Sequence, residues 1–134
     1  MVKTYLKKKR NQRTRRFLST SIFPRSVSSD TYLPIYRVKP FELIVDIDEA
    51  WPAIKKEIEL MDRAQVVEQT HDSMTAHVKS KIFRFVDVLD LVYRPKKNTV
   101  GVRSAAKMGF YDFGVNRSRV ERLRSALKAR GVIA

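Results

Sequence analysis

The sequence contains no cysteine. This absence excludes disulfide bonds, thiol nucleophiles, iron–sulfur clusters and thiolate zinc sites, and it leaves the redox compartment open. Long apolar runs are also missing, because the longest stretch without a charged residue is the eight residues from Phe17 to Pro24. A membrane-spanning helix needs about 20 consecutive apolar residues. We therefore expect no transmembrane segment.

Acidic residues are absent from the first 29 positions, where nine lysines and arginines lie. The remaining 105 residues carry 19 basic and 14 acidic side chains, so most of the net charge of +14 belongs to the N-terminal segment. Like charges at this density repel one another, and the stretch from Lys7 to Arg16 has little apolar surface to offset the entropy lost on ordering. We therefore divide the chain into a basic N-terminal arm, residues 1–29, and a single domain, residues 30–134.

The basic arm admits four interpretations. It resembles an organellar presequence, because it is basic, contains hydroxyl residues and lacks acids. Residues Thr14 to Leu18 resemble a twin-arginine export signal, which we discount because the apolar region that follows is short. Electrostatic docking on RNA, anionic lipid or an acidic protein would weaken steeply with salt, and the remaining possibility is a tail that only aids solubility. The docking residues would be Lys7, Lys8, Lys9, Arg10, Arg13, Arg15 and Arg16.

Hydrophobic periodicity predicts two helices and about five strands after the arm. Residues Tyr32 to Pro40 contain two prolines, which indicates an extended linker or an edge strand. The order β-α-β-β-β-β-α predicts an α+β fold, in which an antiparallel sheet carries both helices on one face. The predicted elements are a strand at Phe41–Val45, a helix over 48–62 capped by Asp48, strands at Ala64–Gln69, Ser73–Lys79, Ile82–Arg94 and Thr99–Lys107, and a helix from Asn116, its cap, to Gly131.

The familiar signatures of catalysis are missing. The sequence has no glycine-rich phosphate loop, no nucleophile elbow and no paired-histidine metal motif. His71 and His77 lie six positions apart, one in a turn and one in a strand, and no further metal ligands accompany them. Ser104 to Lys107 matches the Ser-x-x-Lys string of acylating enzymes, but it ends a strand instead of opening a helix. We therefore predict no catalytic residue, no metal site and no cofactor.

One acidic residue stands among apolar neighbours in the longest predicted strand. Asp87 shares a strand face with Phe85 and Leu89, where an isolated carboxylate would be strongly destabilised by the loss of hydration. Arginine is the natural partner, because its planar guanidinium can satisfy both carboxylate oxygens. The structural interpretation is an ion network that ties the sheet to the last helix. Its members would be Asp87, Arg103 and Arg119.

A functional interpretation uses residues near the same helix. Backbone N–H groups at the start of the last helix could receive a carboxylate or phosphate. In the structural alternative, Asp112 and Asn116 only bend and cap the loop. An acid–base pair of Asp87 and Asp112 would suit a hydrolase, although no spacing demonstrates that the two residues meet. The candidate anion-binding residues are Arg103, Asp112, Asn116 and Arg117.

Two motifs resemble those of a known family. The stretch from Ser80 to Asp87, followed by the stretch from Val102 to Val120, resembles the family catalogued as domain of unknown function 1499. Its members carry "S-x-x-F-R-F-x-D-D-V-E" and then "V-R-S-A-S-R-x-G-x-x-D-x-G-V-N-R-x-R-V". The resemblance covers about residues 26–128, and Ser26 to Ser29 is similar to the family's opening "C-V-S-S".

The resemblance implies a bacterial or plastid protein of a family without an agreed activity. Members are often attached to a membrane through an N-terminal segment, which we expect to be missing here. The family's second aspartate is Val88 in this sequence, its serine–arginine pair is Ala106–Lys107, and its opening cysteine is Arg25 or Ser26. The change to Val88 argues against a catalytic or metal-binding role for paired aspartates in this chain.

These observations lead to one main prediction and one alternative. The main prediction is an uncharacterised, non-enzymatic binding or accessory domain, docked by its basic arm to an anionic partner such as a larger assembly, RNA or a membrane surface. The alternative is a small-anion-binding domain or hydrolase at the start of the last helix. We expect no sequence-specific DNA binding, because no recognition helix is present and Phe83 and Phe85 are assigned to the core. The compartment stays open between the bacterial cytoplasm and an organelle interior, with the protein soluble or peripheral.

Overall fold

A six-stranded antiparallel sheet and two helices are formed by the residues that the computed structural model describes, which are 26–31, 33–81, 85–106 and 114–134. This architecture confirms the predicted α+β class and adds one strand to the predicted order. The docking residues between Lys7 and Arg16, together with Phe83 and Asp112, lie outside the described ranges. The elements are β1 (Ser26–Ser28), β2 (Phe41–Glu42), α1 (Ile47–Leu60), β3 (Ala64–Gln69), β4 (Ser73–Lys79), β5 (Val86–Arg94), β6 (Thr99–Ala106) and α2 (Val115–Ala129).

The sheet is built from consecutive hairpins. Strands β3, β4, β5 and β6 lie side by side in chain order, and β1 and β2 pair end to end along the same side of β6. The turn between β5 and β6 contains Asn98 with φ of 49°, a left-handed conformation that asparagine tolerates better than most residues. Among the described strands, β3 forms one edge, and its pairing with β4 shifts register between Val66 and Glu68.

Both helices pack on one face of the sheet, which we call the helix face. Side chains alternate between the two faces of a strand, so Leu89 and Leu91 point to the helix face and Asp90 to the opposite face. Trp51 also fixes α1 to the β3–β4 hairpin, because its Nε1 donates to the His71 carbonyl at 2.8 Å. Burying a large aliphatic side chain contributes about 1.5–3 kcal/mol. The core includes Trp51, Ile54 and Ile58 of α1, Met74, Ala76, Leu89, Leu91, Val100 and Val102 of the sheet, and Val120, Leu123 and Leu127 of α2.

The start of α2 differs from the prediction. Asn116 does not cap the helix; Gly114 is the N-cap, with φ of 78°, and Asn116 is the second helical residue and fully buried. Glycine adopts this left-handed conformation without a steric penalty. The end of α2 follows the expected pattern, since Gly131 N–H donates to the Lys128 carbonyl and Val132 N–H donates to the Leu127 carbonyl. These two hydrogen bonds form a Schellman motif.

Other predicted elements also have different bounds, and the strand predicted at Phe41–Val45 covers only Phe41–Glu42. Helix α1 begins at Ile47 with Asp46 as its N-cap, so Asp48 lies in the first turn. Strand β5 begins at Val86, and Phe85, assigned to the core from the sequence, is 44% exposed. Residues Ser26–Ser28, which the charge distribution places in the arm, form β1, and the segment predicted as a linker or edge strand contains a short 3-10 turn at Pro34–Tyr36.

No helix within the described residues is both long enough and apolar enough to cross a membrane.

Candidate functional site

An ion pair on the helix face joins β5 to α2. Arg119 Nη2 donates to Asp87 Oδ2 at 2.9 Å, and the two side chains are only 11% and 16% exposed. Asp87 lies opposite Val78 of β4 and Ala106 of β6, near the start of β5. Arg119 reaches it from the second turn of α2, so this contact ties the last helix to the middle of the sheet.

Two buried polar residues extend this ion pair into a network. Arg119 Nη1 donates to Ser104 Oγ at 3.0 Å and to Asn116 Oδ1 at 2.7 Å. The Ser104 hydroxyl donates to the same Asn116 oxygen at 2.7 Å, and Ser104 and Asn116 are both fully buried. Buried polar groups require such partners, because an unpaired one would lose its hydration without compensation. We call Asp87, Ser104, Asn116 and Arg119 the helix-face network.

Arg103 occupies the opposite face of the sheet. It lies directly across from Asp90, and its Nη1 is 3.7 Å from Asp90 Oδ2. Arg103 and Asp87 therefore cannot belong to one network, because the alternation of side chains places them on opposite faces. The two arginines considered as partners for Asp87 bind different carboxylates. Arg119 binds Asp87, and Arg103 binds Asp90.

Asp90 is a charged residue of the site region that the sequence analysis did not identify. Thr75 Oγ1 donates to its Oδ1 at 2.9 Å, while within the described residues its buried Oδ2 accepts no hydrogen bond. Burial raises the pKa of Asp90, and the Thr75 hydrogen bond and the charge of Arg103 oppose that rise. The signal was present in the sequence. The turn after Arg94 places Arg94 opposite Thr99. Asp90 lies four residues before Arg94 and Arg103 four residues after Thr99, so the two residues must face each other.

The three predicted anion-binding residues that the structure describes, Arg103, Asn116 and Arg117, are not gathered into one place. Arg103 lies on the opposite face, and Asn116 is buried inside the helix-face network. Arg117 donates from Nη1 to the Arg37 carbonyl at 2.9 Å and from Nη2 to the Ile35 carbonyl at 2.7 Å. Its guanidinium therefore holds the 3-10 turn against α2. Asp112 lies outside the described residues, so its proposed pairing with Asp87 remains a prediction.

A cavity of about 550 Å³ lies beside the helix-face network. It opens between the end of α1, the end of β4 and the start of α2, and we call it the α1–α2 pocket. Arg119 forms part of its wall as well as part of the network. The pocket is lined by Leu60, Met61, Asp62, Arg63, Val78, Val115, Ser118, Arg119 and Arg122.

Arg63 has an unusual backbone conformation at this pocket. Its φ is 60°, in the left-handed region, which costs an L-residue with a side chain roughly 1–2 kcal/mol. Its Nε donates to the Lys79 carbonyl at 3.0 Å, and its own carbonyl accepts from Lys79 N–H at 3.0 Å. These two contacts fix the turn between α1 and β3 and hold the Arg63 side chain beside β4.

Metal ligands are not clustered in this part of the protein. The described residues contain no group of three or more histidine, cysteine, aspartate or glutamate side chains that could hold a metal ion. The carboxylates at the network and on the opposite face are instead paired with guanidinium groups.

Comparison with known proteins agrees with the resemblance seen in the sequence. No curated protein and no solved structure matches the chain. The family described as "Protein of unknown function (DUF1499)" matches residues 18–127, which include the whole sheet and the helix-face network. The resemblance inferred from the two motifs is thereby confirmed, and the chain belongs to the DUF1499 family.

Proposed function

We propose that this protein is a non-enzymatic binding domain that its basic arm docks to an anionic partner. The observation that carries the proposal is the distribution of charge, with nine basic and no acidic residues among the first 29 positions. A cationic segment of this kind binds polyanions by neutralising their charge and releasing their counterions. In this proposal the arm attaches the protein to the anionic partner, and the folded domain has an accessory role there.

The folded domain supports a binding role more than a catalytic one. Its buried carboxylates and guanidiniums are used in contacts between elements, as in the pair of Asp87 and Arg119. Removal of one partner from such a buried ion pair is strongly destabilising, which favours a role in joining the helix to the sheet. The competing proposal of a small-anion site at the start of α2 has less support, because Arg117 is bound to the carbonyls of the 3-10 turn and Arg103 lies on the opposite face.

The proposal is tested by neutralising the arm while keeping the domain intact. One variant changes the seven docking residues, Lys7, Lys8, Lys9, Arg10, Arg13, Arg15 and Arg16, to glutamine. A matched control removes seven charges from exposed lysines of the domain: Lys39, Lys55, Lys56, Lys79, Lys96, Lys97 and Lys128. Both variants are compared with the unchanged chain for binding to a single-stranded RNA, to phosphatidylglycerol vesicles and to an acidic protein, over a range of salt concentrations.

The arm variant should lose binding, and the control should keep most of it. For RNA, the slope of log K against log salt should fall by about 0.7 for each phosphate contact removed. The probe that loses affinity in the arm variant identifies the class of partner. Equal loss in both variants would show a general effect of net charge, and unchanged binding by the arm variant to every probe would refute the proposal.

A further inference from the structure

We propose that the α1–α2 pocket binds a small carboxylate that carries an apolar body. This site is separate from the arm, and the inference does not depend on the partner proposed above. Its volume of about 550 Å³ lies within the range of roughly 300–1,000 Å³ that is usual for small-molecule sites. The wall has two distinct parts, one apolar and one rich in guanidinium groups, and each part has a specific origin in the fold.

The apolar part comes from the ends of three elements. Leu60 and Met61 end α1, Val78 lies on β4, and Val115 begins α2. Leu60 is 66% exposed and Val115 is 51% exposed, so two large aliphatic side chains of the pocket wall are largely in solvent. Single exposed aliphatic residues are common, but a pair that flanks a cavity marks a surface that an apolar group can cover.

The polar part contains two guanidinium groups that are available for a ligand. Arg63 uses its Nε for the Lys79 carbonyl, and its two terminal nitrogens form no hydrogen bond to the described residues. Arg122 forms neither a hydrogen bond nor an ion pair within that same part of the chain. The neighbouring arginines of α2 differ, since Arg117 is bound to backbone carbonyls and Arg124 to Glu121 and the Lys39 carbonyl.

The backbone of Arg63 provides an independent indication of function. Position 63 has the left-handed φ of 60° that a glycine or asparagine adopts more readily. A strained conformation that persists at the rim of a cavity is typical of a residue placed for binding. The guanidinium of Arg63, a fork suited to carboxylate, belongs to the same pocket wall as that of Arg122.

The balance of charge selects a ligand with one negative charge. Arg63, Arg119 and Arg122 contribute three positive charges to the wall. Asp62 in the same wall offsets one of them, and the ion pair with Asp87 offsets that of Arg119. One positive charge is therefore left for the ligand. A carboxylate matches this charge and the planar geometry of a guanidinium, and its apolar body would cover Leu60 and Val115.

The test uses octanoate as the probe and the full-length protein, with binding followed by titration calorimetry or by NMR shifts. Octanoate should bind, whereas acetate, which lacks the apolar body, and octanol, which lacks the charge, should bind at least tenfold more weakly. The variants Arg122→Gln and Arg63→Gly should each lower octanoate affinity about tenfold. The control Lys128→Gln removes an equal charge from the same helix and should leave the affinity unchanged, as should the arm variant.

Folding and binding are separated by the Arg63→Gly variant. Relief of the left-handed strain by glycine should offset the loss of the exposed hydrogen bond from Arg63 Nε to the Lys79 carbonyl, so the midpoint of thermal unfolding should stay about the same while octanoate affinity falls. Equal affinity for octanol and octanoate, or no effect of Arg63→Gly and Arg122→Gln, would overturn the proposal. A third result would also overturn the proposal: the protein binds phosphatidylglycerol vesicles through these two arginines but does not bind octanoate. The ligand would then be a membrane surface.

Discussion

The two faces of the sheet each hold a carboxylate paired with an arginine, but they satisfy the charge differently. On the helix face, Asp87 is bound directly by Arg119 at 2.9 Å, and the same guanidinium binds Ser104 and Asn116. On the opposite face, Asp90 is 3.7 Å from Arg103, a distance beyond that of a hydrogen bond.

The difference shows what a packed helix adds to a sheet. Strand pairing alone brings Asp90 and Arg103 across from each other, where they form an ion pair at 3.7 Å. On the helix face, α2 supplies Arg119 and Asn116 from a third direction, so that Ser104 also gains a partner. Because the Arg119 guanidinium donates from two nitrogens to three acceptors, the network fixes the orientation of this side chain.

The largest expected effect is the loss of Arg119. The variant Arg119→Met should lower the free energy of unfolding by about 3–5 kcal/mol, because it leaves the charge of Asp87 in a largely buried site without its guanidinium. Chemical denaturation with urea measures this loss. The double variant Asp87→Leu/Arg119→Met should recover much of the stability, since replacing both members of a buried ion pair by apolar residues is often neutral. A loss below about 1 kcal/mol for Arg119→Met would show that the network is not a structural tie.

A smaller loss of stability is expected when side chains at neighbouring positions of β5, one on each face, are shortened to alanine. Leu89 is fully buried on the helix face, whereas Val88 is only partly buried on the opposite face. Leu89→Ala should cost about 2–5 kcal/mol, the usual range for deleting core side-chain volume. Val88→Ala should cost less than about 1 kcal/mol, and urea denaturation of both variants provides the comparison. Equal losses would mean that the opposite face is packed as tightly as the helix face.

The smallest effect is a pH dependence that arises from Asp90. Burial raises the pKa of Asp90 in the folded protein above its ordinary value, so the protonated carboxyl favours the folded state. This contribution to stability is fully present when the pH is below the ordinary pKa of an aspartate. The contribution is lost as the pH rises through the folded-state pKa. The unchanged protein should therefore lose stability relative to Asp90→Asn as the pH is raised from 3 to 7, which unfolding curves at several pH values would reveal. A relative gain over this range would show that Arg103 stabilises the ionised form more than burial destabilises it.

The fold was largely predictable because it follows from local patterns. Alternation of apolar residues marks β3 and β4 at their observed bounds, and Gly131 marks the end of α2. The start of α2 was less predictable, because either Gly114 or Asn116 can begin a helix. Only the packed structure shows that the Asn116 side chain is needed inside the network.

The candidate sites depend on long-range geometry that local patterns do not contain. The turn after Arg94 gives the register of β5 and β6 and so separates Arg103 from Asp87, but the contact between Arg119 and Asp87 requires α2 to pack on the sheet. The α1–α2 pocket joins Arg63, in a turn, to Arg122, on the last helix. No periodicity connects these two positions, so their proximity emerges only when α1 and α2 pack on the same sheet.

The register shift in β3 affects how the domain meets its neighbours. An exposed edge strand offers an open row of backbone donors and acceptors on which another sheet can grow. The irregularity between Val66 and Glu68 interrupts that row on the outermost described strand of this side, and the charge of Glu68 adds electrostatic repulsion between copies. Such an interruption is one of the features by which native sheets discourage edge-to-edge pairing between copies.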